Sequence, residues 1–444
     1  MGTVEQRKRA KETGVALLVA LFVLLLLSAM AATMSVRLMS ETQASVSYRS
    51  AAQSYYSALA GLEEARARLV RSAPDAIPSA SLPAASNEVL YIVNSTLEDP
   101  VVPNDPQSLY FDSNYLLEFS AGGAVTLLDS NQPNAQTPFA IPYKWVRITM
   151  KTEFSSQQDV NQDGILDNST PVLFDGSRQQ LASAGAEGWV VYKLTALAVE
   201  PSGARRLLQS EVASQRWITP LAGVAGADRV DLGGKLTVSG LNNCGAGADL
   251  YAVVSADEVR LNGGATAVGL PSSHLEGATL PAPSPAELVG QLTPFAIPIQ
   301  DADPANISFD SGSQTYSGSW AALGDMSQFP PSESYPAVPA VIYADRSVSL
   351  DHSQGAGILL VDGDLEIQGT FKYYGLVVAT GAVELAASNL DPVQIYGGIF
   401  QGGRLDANSS GAGQGIEILY DNCALTVATE PLPKTVLAFK DLGP

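Results

Sequence analysis

The residues whose types and spacing could do chemistry are concentrated in residues 159–167, which read DVNQDGILD. Oxygen-bearing groups recur at every second position, as at positions 1, 3, 5, 7 and 9 of an EF-hand-type loop: Asp159, Asn161, Asp163, the backbone carbonyl of Ile165, and Asp167. A glycine, Gly164, stands where such a loop turns sharply. The pattern predicts an all-oxygen site for a hard divalent cation, Ca²⁺ above all.

Two features leave an alternative to calcium open. Position 12 of the loop is Thr170 rather than a bidentate glutamate, and Asp175 could replace it only if the loop folds differently. A solvated Asn/Asp/Gly turn between two strands would show the same composition.

Enzymatic motifs are absent from the sequence. It contains no G-x-S-x-G, H-E-x-x-H, P-loop or dinucleotide-binding glycine pattern. The contiguous Asp351-His352-Ser353 suits a turn better than a triad. A β-helical polysaccharide lyase or glycosidase, using Asp362, Asp364 and Glu366 along one strand, is the enzymatic alternative, although such carboxylates also suit a solvated face. The sequence therefore predicts no catalytic residues.

The elements that would position the loop begin with an apolar segment near the N-terminus. Residues 15–32 carry no charge, and about 20 apolar residues are enough to cross a bilayer core. Four basic residues precede this segment: Arg7, Lys8, Arg9 and Lys11. The positive-inside rule leaves the N-terminus in the cytoplasm and exports the C-terminal bulk. A cleaved secretory signal, with a site at Ala29–Ala31, is an alternative.

Helical periodicity then continues past the apolar segment. Apolar residues such as Tyr55, Leu59 and Leu62 recur at helical spacing, and no proline precedes Pro74. Residues 15–71 are therefore predicted to form one helix, apolar all round in its first half and amphipathic in its second. A leader ending in Gly14, then VALLVALFVLLLLSAM and SYRSAAQSYYSALAGLEEARARL, resembles the N-terminal region of PilX-type minor pilins of the type IV pilus machinery.

The resemblance implies a sequence of processing and assembly steps. A prepilin peptidase would cut after Gly14, removing residues 1–14, and methylate Val15. The protein would be a single-pass bacterial inner-membrane protein with a periplasmic bulk, and would then join other minor and major pilins in an extracellular filament.

Major pilins carry a glutamate at the fifth mature position, where this chain has Val19. This departure resembles many PilX-like proteins and the K-type minor pseudopilins. It favours a place at or near the filament tip, in assembly initiation or surface adhesion, with a surface or carbohydrate ligand as a further candidate partner. A plain membrane anchor on a periplasmic protein is the alternative.

The net charge differs in sign between the N-terminal helix region and the rest of the chain. Residues 1–71 carry a net charge of +4, which leaves −24 for residues 72–444. The exported part is therefore too acidic to bind nucleic acid directly. With 46% hydrophobic residues the chain is too apolar to be disordered, and its 444 residues suit two or three domains.

The first exported region, residues 85–219, is predicted to be an α+β pilin-like head that carries the calcium loop as an insertion. Pro201-Ser202-Gly203 joins two alternating runs into a hairpin, and the sheet would pack on the amphipathic half of the helix. The strand-like runs are Val89–Val93, Leu109–Phe119, Lys144–Phe154 and Trp189–Val199.

The second exported region, residues 221–444, is predicted to be all-β. GILLVDGDLEIQG aligns with GLVVATGAVELAAS at an offset of 18 residues, and a third copy follows. The matched positions are Gly357 over Gly375, Gly363 over Gly381 and Leu365 over Val383, with Gly398 and Gly403 in the third copy. Such repeats favour a β-solenoid over a β-sandwich. Residues 270–340 hold 11 of the 27 prolines and are predicted to form an ordered excursion or a flexible loop.

Both cysteines, Cys244 and Cys423, fall in this second region. Export places them in an oxidising compartment, so a disulfide between them is favoured over free thiols. An intermolecular bond or a metal role remains an alternative, but the two histidines, His274 and His352, are too few and too distant to complete a zinc site without further ligands.

Overall fold

The computed structural model describes residues 3–70, 75–78, 81–115, 123–130, 143–183, 188–214, 220–244, 247–280, 282–332, 335–388, 390–409 and 415–443, with side chains described from Leu17 onward. The helices are α1 (Thr3–Arg68), α2 (Glu153–Ser156), α3 (Pro285–Leu292), α4 (Ile299–Ala302) and α5 (Asn422–Ala428), with a 3₁₀ turn at Thr293–Phe295.

The strands are β1 (Val89–Val93), β2 (Val125–Asp129), β3 (Tyr143–Met150), β4 (Val172–Phe174), β5 (Gln179–Leu181), β6 (Trp189–Val190), β7 (Tyr192–Val199), β8 (Arg205–Ala213), β9 (Ala222–Gly226), β10 (Val230–Gly233), β11 (Leu236–Ser239), β12 (Tyr251–Ser255), β13 (Val259–Leu261), β14 (Thr266–Val268), β15 (His274–Leu275), β16 (Ile297–Pro298), β17 (Ile307–Asp310), β18 (Thr315–Ser319), β19 (Ala322–Leu323), β20 (Ala340–Ala344), β21 (Val348–Val361), β22 (Leu365–Ala379), β23 (Val383–Ala387), β24 (Val393–Gln401), β25 (Leu405–Ser409), β26 (Ile416–Tyr420) and β27 (Thr435–Gly443).

Helix α1 confirms the prediction of one continuous N-terminal helix. It has 66 residues, so it is about 100 Å long at the standard rise. Its apolar part is long and apolar enough to cross a membrane, with a mean hydropathy of 2.6, and none of that window is buried. The helix ends at Arg68, three residues before the predicted end.

The C-terminal part of α1 packs on a six-stranded sheet in the order β2-β1-β3-β7-β8-β27, which we call the head sheet. Only β1 and β2 pair in parallel among these strands. Ala58, Leu62 and Ala65 of α1 lie in one core cluster with Ile92 and Ile148 of the sheet. The apolar face of the amphipathic half of α1 therefore packs on the head sheet, as predicted.

The predicted hairpin around Pro201-Ser202-Gly203 is confirmed, since β7 and β8 pair from Val199 and Arg205 onward. The strand predicted from Leu109 to Phe119 is wrong for residues 109–115, which the structure describes, because they contain turns and no strand. The carboxylates of Asp105 and Asp112 accept backbone N–H groups two residues on, at 2.9 and 3.2 Å, and this local bonding competes with a sheet ladder.

The second large sheet, which we call the C-terminal sheet, has 18 strands, is mostly parallel and nearly closes on itself. Among its described pairings only β17 with β18 is antiparallel. The parallel pairing makes the sandwich alternative wrong, because sandwiches are built from antiparallel sheets.

The predicted repeat corresponds to strand pairing in the C-terminal sheet. Gly357 pairs in parallel with Gly375 and Leu365 with Val383, at the predicted offset. In the third copy Gly375 pairs with Gly397 rather than with the predicted Gly398. The other predicted glycine of that copy is in register, since Gly403 donates its N–H to the carbonyl of Gly381 at 2.9 Å.

A column of glycines makes this stacking possible. Gly357, Gly375 and Gly397 have φ of +114°, +141° and +129°. A Cβ built on any of them would lie 2.0 Å from a carbonyl oxygen of the adjacent strand. Only glycine accepts both the backbone conformation and the close approach.

The proline-rich segment 270–340 forms short, ordered elements. Ser284 and Glu287 make a capping box that starts α3, and Leu288 and Leu292 of α3 pack against Ile358 of β21. The segment therefore covers part of the C-terminal sheet.

The final strand, β27, returns to the head sheet and pairs with β8. The sequence places these residues in the C-terminal region, but their pairing partners lie more than 200 residues earlier. The chain thus passes from the head to the C-terminal sheet and back again.

Candidate functional site

The predicted processing residues lie in helix α1. Gly14 and Val15 have helical backbone, and their side chains are outside the described set. The described apolar side chains that follow are exposed, with Val19 at 58%. This part of the helix has the surface expected of a segment that meets lipid or other apolar helices.

A buried polar cluster joins α1 to the head sheet. Tyr143 of β3 donates its hydroxyl to Glu64 of α1 at 2.6 Å, and Ser130 donates to both oxygens of that carboxylate at 3.2 Å. Arg68, one turn further along α1, lies 3.6 Å from Glu64. Burial, and next the bond to Glu64, raise the pKa of Tyr143 above its ordinary value. The phenol therefore stays a donor at physiological pH.

The same helix makes two further polar contacts with the head. Ser57 donates to Glu200 at 3.1 Å in a buried position, and Arg68 donates to the carbonyl of Asp129 at 2.9 Å. Glu64 and Arg68 are both buried, although charged side chains usually lie on the solvated face of an amphipathic helix. Their i,i+4 spacing was the signal that could have revealed an ion pair.

The predicted calcium loop lies between α2 and β4 and is organised by Glu153, which the sequence did not single out. This fully buried carboxylate, at the first position of α2, accepts the backbone N–H groups of Val160, Asn161 and Asp167 at 2.7, 3.1 and 3.0 Å. One negative side chain thus ties both ends of the loop to the helix.

The predicted ligands in the loop also bond to the loop's own backbone. Asp159 accepts the N–H groups of Gln162 and Gly164 at 2.6 and 2.8 Å, and Asp163 accepts that of Ile165 at 2.7 Å. Asn161 donates to Asp163 at 2.9 Å. Gly164 has φ of +82°, as a sharp loop turn requires.

Among the described residues, the carboxylates of Asp159, Asp163 and Asp167 do not all bring an oxygen within 4.8 Å of one another. Asp175 caps a separate turn. Burial would raise its pKa, but N–H donors from Arg178 and Ser177 outweigh burial and lower it to about 2. Calcium binding by the loop therefore stays a prediction from the sequence.

Cys244 and Cys423 form a disulfide with a Cα–Cα distance of 5.8 Å. It connects the loop after β11 to the first turn of α5, across 179 residues of sequence. Together with Asp421 they make up the group of His, Cys, Asp and Glu side chains that comes within metal-binding distance in the described chain. Both sulfurs are used in the disulfide, and His274 and His352 are not members of the group.

The carboxylates of the enzymatic alternative do not form a cluster along one strand. Asp362 and Asp364 lie in the turn between β21 and β22, where they accept bonds from Thr380 Oγ1 at 3.0 Å and from the Ala382 N–H at 2.7 Å. Glu366 lies on β22 and accepts a bond from Ser349 at 2.9 Å. The predicted alternation of all three residues along one strand is therefore wrong.

Asp351-His352-Ser353 does not form the predicted turn either. It lies within β21, where His352 occupies a bulge with φ of +56°. Ser353 is buried, and its hydroxyl makes no bond to His352. The geometry is not that of a nucleophilic triad.

Comparisons with known proteins give structural matches but no sequence match. No protein-family model matches the chain, and no curated protein sequence is significantly similar to it. Among solved structures, the competence-associated pilin ComZ from Thermus thermophilus matches with a TM-score of 0.19 and 10% identity, over 65% of this chain and 90% of that chain. A similarity at this level does not by itself establish a shared fold, and no functional assignment is based on it.

Proposed function

We propose that the protein is a minor-pilin-like component of a type IV filament system, of the PilX type. A prepilin peptidase would cut after Gly14 and methylate Val15. The subunit would start in the inner membrane, with its bulk in the periplasm, and move to a place at or near the filament tip. Its partners would be other minor and major pilins, and its roles assembly initiation and surface adhesion.

The observation that carries this proposal is the division of α1 into two halves. The side chains from Leu17 to Arg49 are exposed, whereas Ala58, Leu62 and Ala65 are core residues of the head. A helix whose apolar half lies outside the head suits a subunit that leaves lipid to pack its helix among others. A plain anchor would not need a helix that continues without interruption into the core of the exported domain.

The buried cluster of Glu64, Arg68 and Tyr143 supports a mechanical role. Glu64 accepts from Tyr143, and Arg68 donates to the carbonyl of Asp129, so charge-assisted hydrogen bonds, which are among the stronger ones in proteins, fix α1 to the head. A subunit in a filament must transmit force between its helix and its exported part. A rigid junction would serve this purpose.

We propose that the C-terminal sheet is a β-solenoid presented away from the membrane, and that it does not act as an enzyme. Stacked parallel pairings at offsets near the predicted 18 residues support the solenoid. Asp362 and Asp364 accept hydrogen bonds within a turn, which supports a binding or structural role for the C-terminal sheet. The proposal would be contradicted if the protein depolymerised an anionic polysaccharide and Glu366→Gln abolished that activity.

Calcium binding to residues 159–167 remains a proposal that rests on the spacing of the ligands. Asp159, Asn161, Asp163, Asp167 and the carbonyl of Ile165 would hold the ion. To do so, Asp159 and Asp163 would have to give up part of their bonding to backbone N–H groups. The bound cation would offset negative charge in the loop.

Mass spectrometry of the mature N-terminus tests the filament proposal. We expect a chain that begins at N-methylated Val15 when the protein is made together with a prepilin peptidase. Gly14→Lys should leave the leader attached, whereas Gly2→Lys, within the leader but away from the cut, should be processed normally. An intact leader in the wild type, or a cut near Ala31, would contradict the proposal.

A further inference from the structure

Trp320 and His352 form an exposed stacked pair on the C-terminal sheet. Trp320 follows β18, and its ring centroid lies 4.4 Å from that of His352, with 24° between the ring planes. The tryptophan side chain is nevertheless 71% exposed. Since one face of the indole lies on the imidazole, the opposite face is open to solvent.

Two carboxylates fix the imidazole beneath this ring. His352 Nε2 lies 3.2 Å from Asp391, whose carboxylate is held in turn by Ser388 at 2.7 Å and Thr370 at 3.3 Å. His352 Nδ1 lies 2.6 Å from Asp351, a close contact whose angles are not those of a hydrogen bond. We call Trp320, Asp351, His352 and Asp391 the Trp320 platform.

The backbone is shaped to hold the Trp320 platform. Trp320 and His352 have φ of +60° and +56°, a left-handed conformation that is uncommon for bulky residues. On the adjacent strand Gly369 leaves room for the imidazole, since a Cβ there would lie 2.8 Å from it. This strain presents a ring that buries little surface, so folding alone gives no reason for it.

The surroundings of the platform define what could bind to it. After residue 219, the two most exposed large apolar side chains among the described residues are Trp320 and Leu390, and Leu390 is the chain neighbour of Asp391. Asp351 keeps 54% of its side chain exposed and can accept hydrogen bonds from a ligand. The indole N–H of Trp320 makes no hydrogen bond to the part of the chain that the structure describes, so it is available as a donor.

We propose that the Trp320 platform binds a sugar ring of a neutral or amino-substituted polysaccharide. The C–H groups on one face of a pyranose would stack on the open face of the indole, whose π-electrons attract partial positive charge. Hydroxyl or ammonium groups on the ring edge would donate to Asp351. Anionic polysaccharides are disfavoured, because the platform holds two carboxylates and residues 72–444 carry a net charge of −24. This site does not depend on incorporation into a filament.

Calorimetric titration of the full-length protein in a detergent without a sugar headgroup tests this proposal. The probes are pentasaccharides of β-glucan, chitin, chitosan and polygalacturonate. We expect at least one of the first three to bind and the polygalacturonate not to bind. Trp320→Ala should weaken binding by up to about tenfold, since an aromatic contact is worth up to about 1.5 kcal/mol.

Tyr335→Ala is the matched control, because Tyr335 is another exposed aromatic residue, at 55%, outside the platform. It should leave the affinity unchanged. Trp320→Phe and Asp351→Asn, which keep most of the packing, cover the case in which Trp320→Ala does not fold, and both should weaken binding.

Three results would overturn the proposal: no binding of any neutral or amino probe, preferential binding of polygalacturonate, or unchanged affinity in Trp320→Phe and Asp351→Asn. Processing at Gly14 is measured separately, so failure of the filament proposal would leave this result intact.

Discussion

The head and the C-terminal sheet bury different chemistry. Among the described residues, eight buried charged side chains belong to α1 and the head, whereas Asp421 is the one that follows residue 219. The eight are Glu64, Arg68, Asp112, Arg147, Lys151, Glu153, Lys193 and Glu200. The largest core cluster of the C-terminal sheet is instead almost entirely aliphatic, with Phe371 and Tyr373 as its aromatic members.

This difference shows two ways of specifying a structure. In the head, hydrogen bonds between buried charges have direction, so they hold α1, the turns and the sheet in one arrangement. In the C-terminal sheet, each strand repeats the residue types of its neighbour, and glycines at the corners allow close stacking. The head should therefore be sensitive to the loss of a charge, and the C-terminal sheet to the addition of volume.

The largest expected effect is the loss of a buried charge in the head. Arg147 lies 2.7 Å from Asp112, with side chains 1% and 2% exposed, and Tyr91 also donates to this carboxylate at 3.1 Å. Asp112→Ala removes the carboxylate that faces the buried guanidinium. We expect the free energy of unfolding of the head to fall by about 3–5 kcal/mol, measured by urea denaturation in detergent.

The matched controls are a double variant and an exposed pair. Asp112→Ala combined with Arg147→Met should recover part of the lost stability, because the buried cation is removed together with the carboxylate. Glu258→Ala, which breaks an exposed pair with Arg260, should have little effect. Equal losses in the single and double variants would show that the charge pair is not what holds the head.

The next effect should come from added volume in the C-terminal sheet. In Gly375→Ala the new Cβ would lie 2.0 Å from the carbonyl oxygen of Gly357, at φ of +141°. We expect a loss of roughly 3 kcal/mol, from backbone strain and displaced strands together, measured as a lower thermal midpoint.

Gly290→Ala is the control for the glycine column. Gly290 lies in α3, and a Cβ there would meet nothing within 4 Å. Since alanine favours helix over glycine, this variant should be stabilised by about 0.5–1 kcal/mol. If both substitutions had the same effect, close stacking at Gly375 would not limit the C-terminal sheet.

The same contrast explains what the sequence could predict. The long helix and the repeat were visible because each depends on residues at regular local spacing, as in the pairing of Gly357 with Gly375. The pairing of β27 with β8 was not visible, since these strands are separated by the whole C-terminal sheet. Buried charges were missed because burial of Glu64 depends on Ser130 and Tyr143, which are distant in sequence.

The loop at residues 159–167 shows how far a site can be predicted from the sequence. Its spacing predicted ligands, but Glu153, which accepts three N–H groups of the loop, lies outside the motif. A carboxylate that organises a loop from one side has no fixed spacing. The sequence alone therefore does not show whether the loop is organised by a bound ion or by the carboxylate of Glu153.

A smaller effect is expected at the junction of α1 with the head. Tyr143→Phe keeps the ring but removes the donor to Glu64, which should cost about 1.5–3 kcal/mol at pH 8. The raised pKa of Tyr143 sets the pH dependence. Above about pH 10 the unfolded chain loses this proton before the folded one, so stability falls as pH rises, by up to about 1.4 kcal/mol per pH unit.

Tyr143→Phe has no phenol to ionise, so its free energy of unfolding should fall less steeply with pH. The difference in stability between this variant and the wild type should therefore shrink between pH 8 and pH 11. Tyr56→Phe, at an exposed position of α1, should match the wild type at both pH values. A deficit that stays constant with pH would show that folding does not raise the pKa of Tyr143, and would contradict this account of the junction.

The smallest effect concerns the loop at residues 159–167 and decides how it is stabilised. With a dissociation constant near 10⁻³ M, typical of weak extracellular sites, 10 mM Ca²⁺ would stabilise the wild type by about 1.4 kcal/mol, seen as a higher thermal midpoint. Asp163→Ala should abolish this response. Asp175→Ala should keep it, since Asp175 caps its own turn. A response that is absent from the wild type, or unchanged in Asp163→Ala, would contradict calcium binding by the loop and leave the hydrogen bonds to Glu153, Asp159 and Asp163 as what stabilises it.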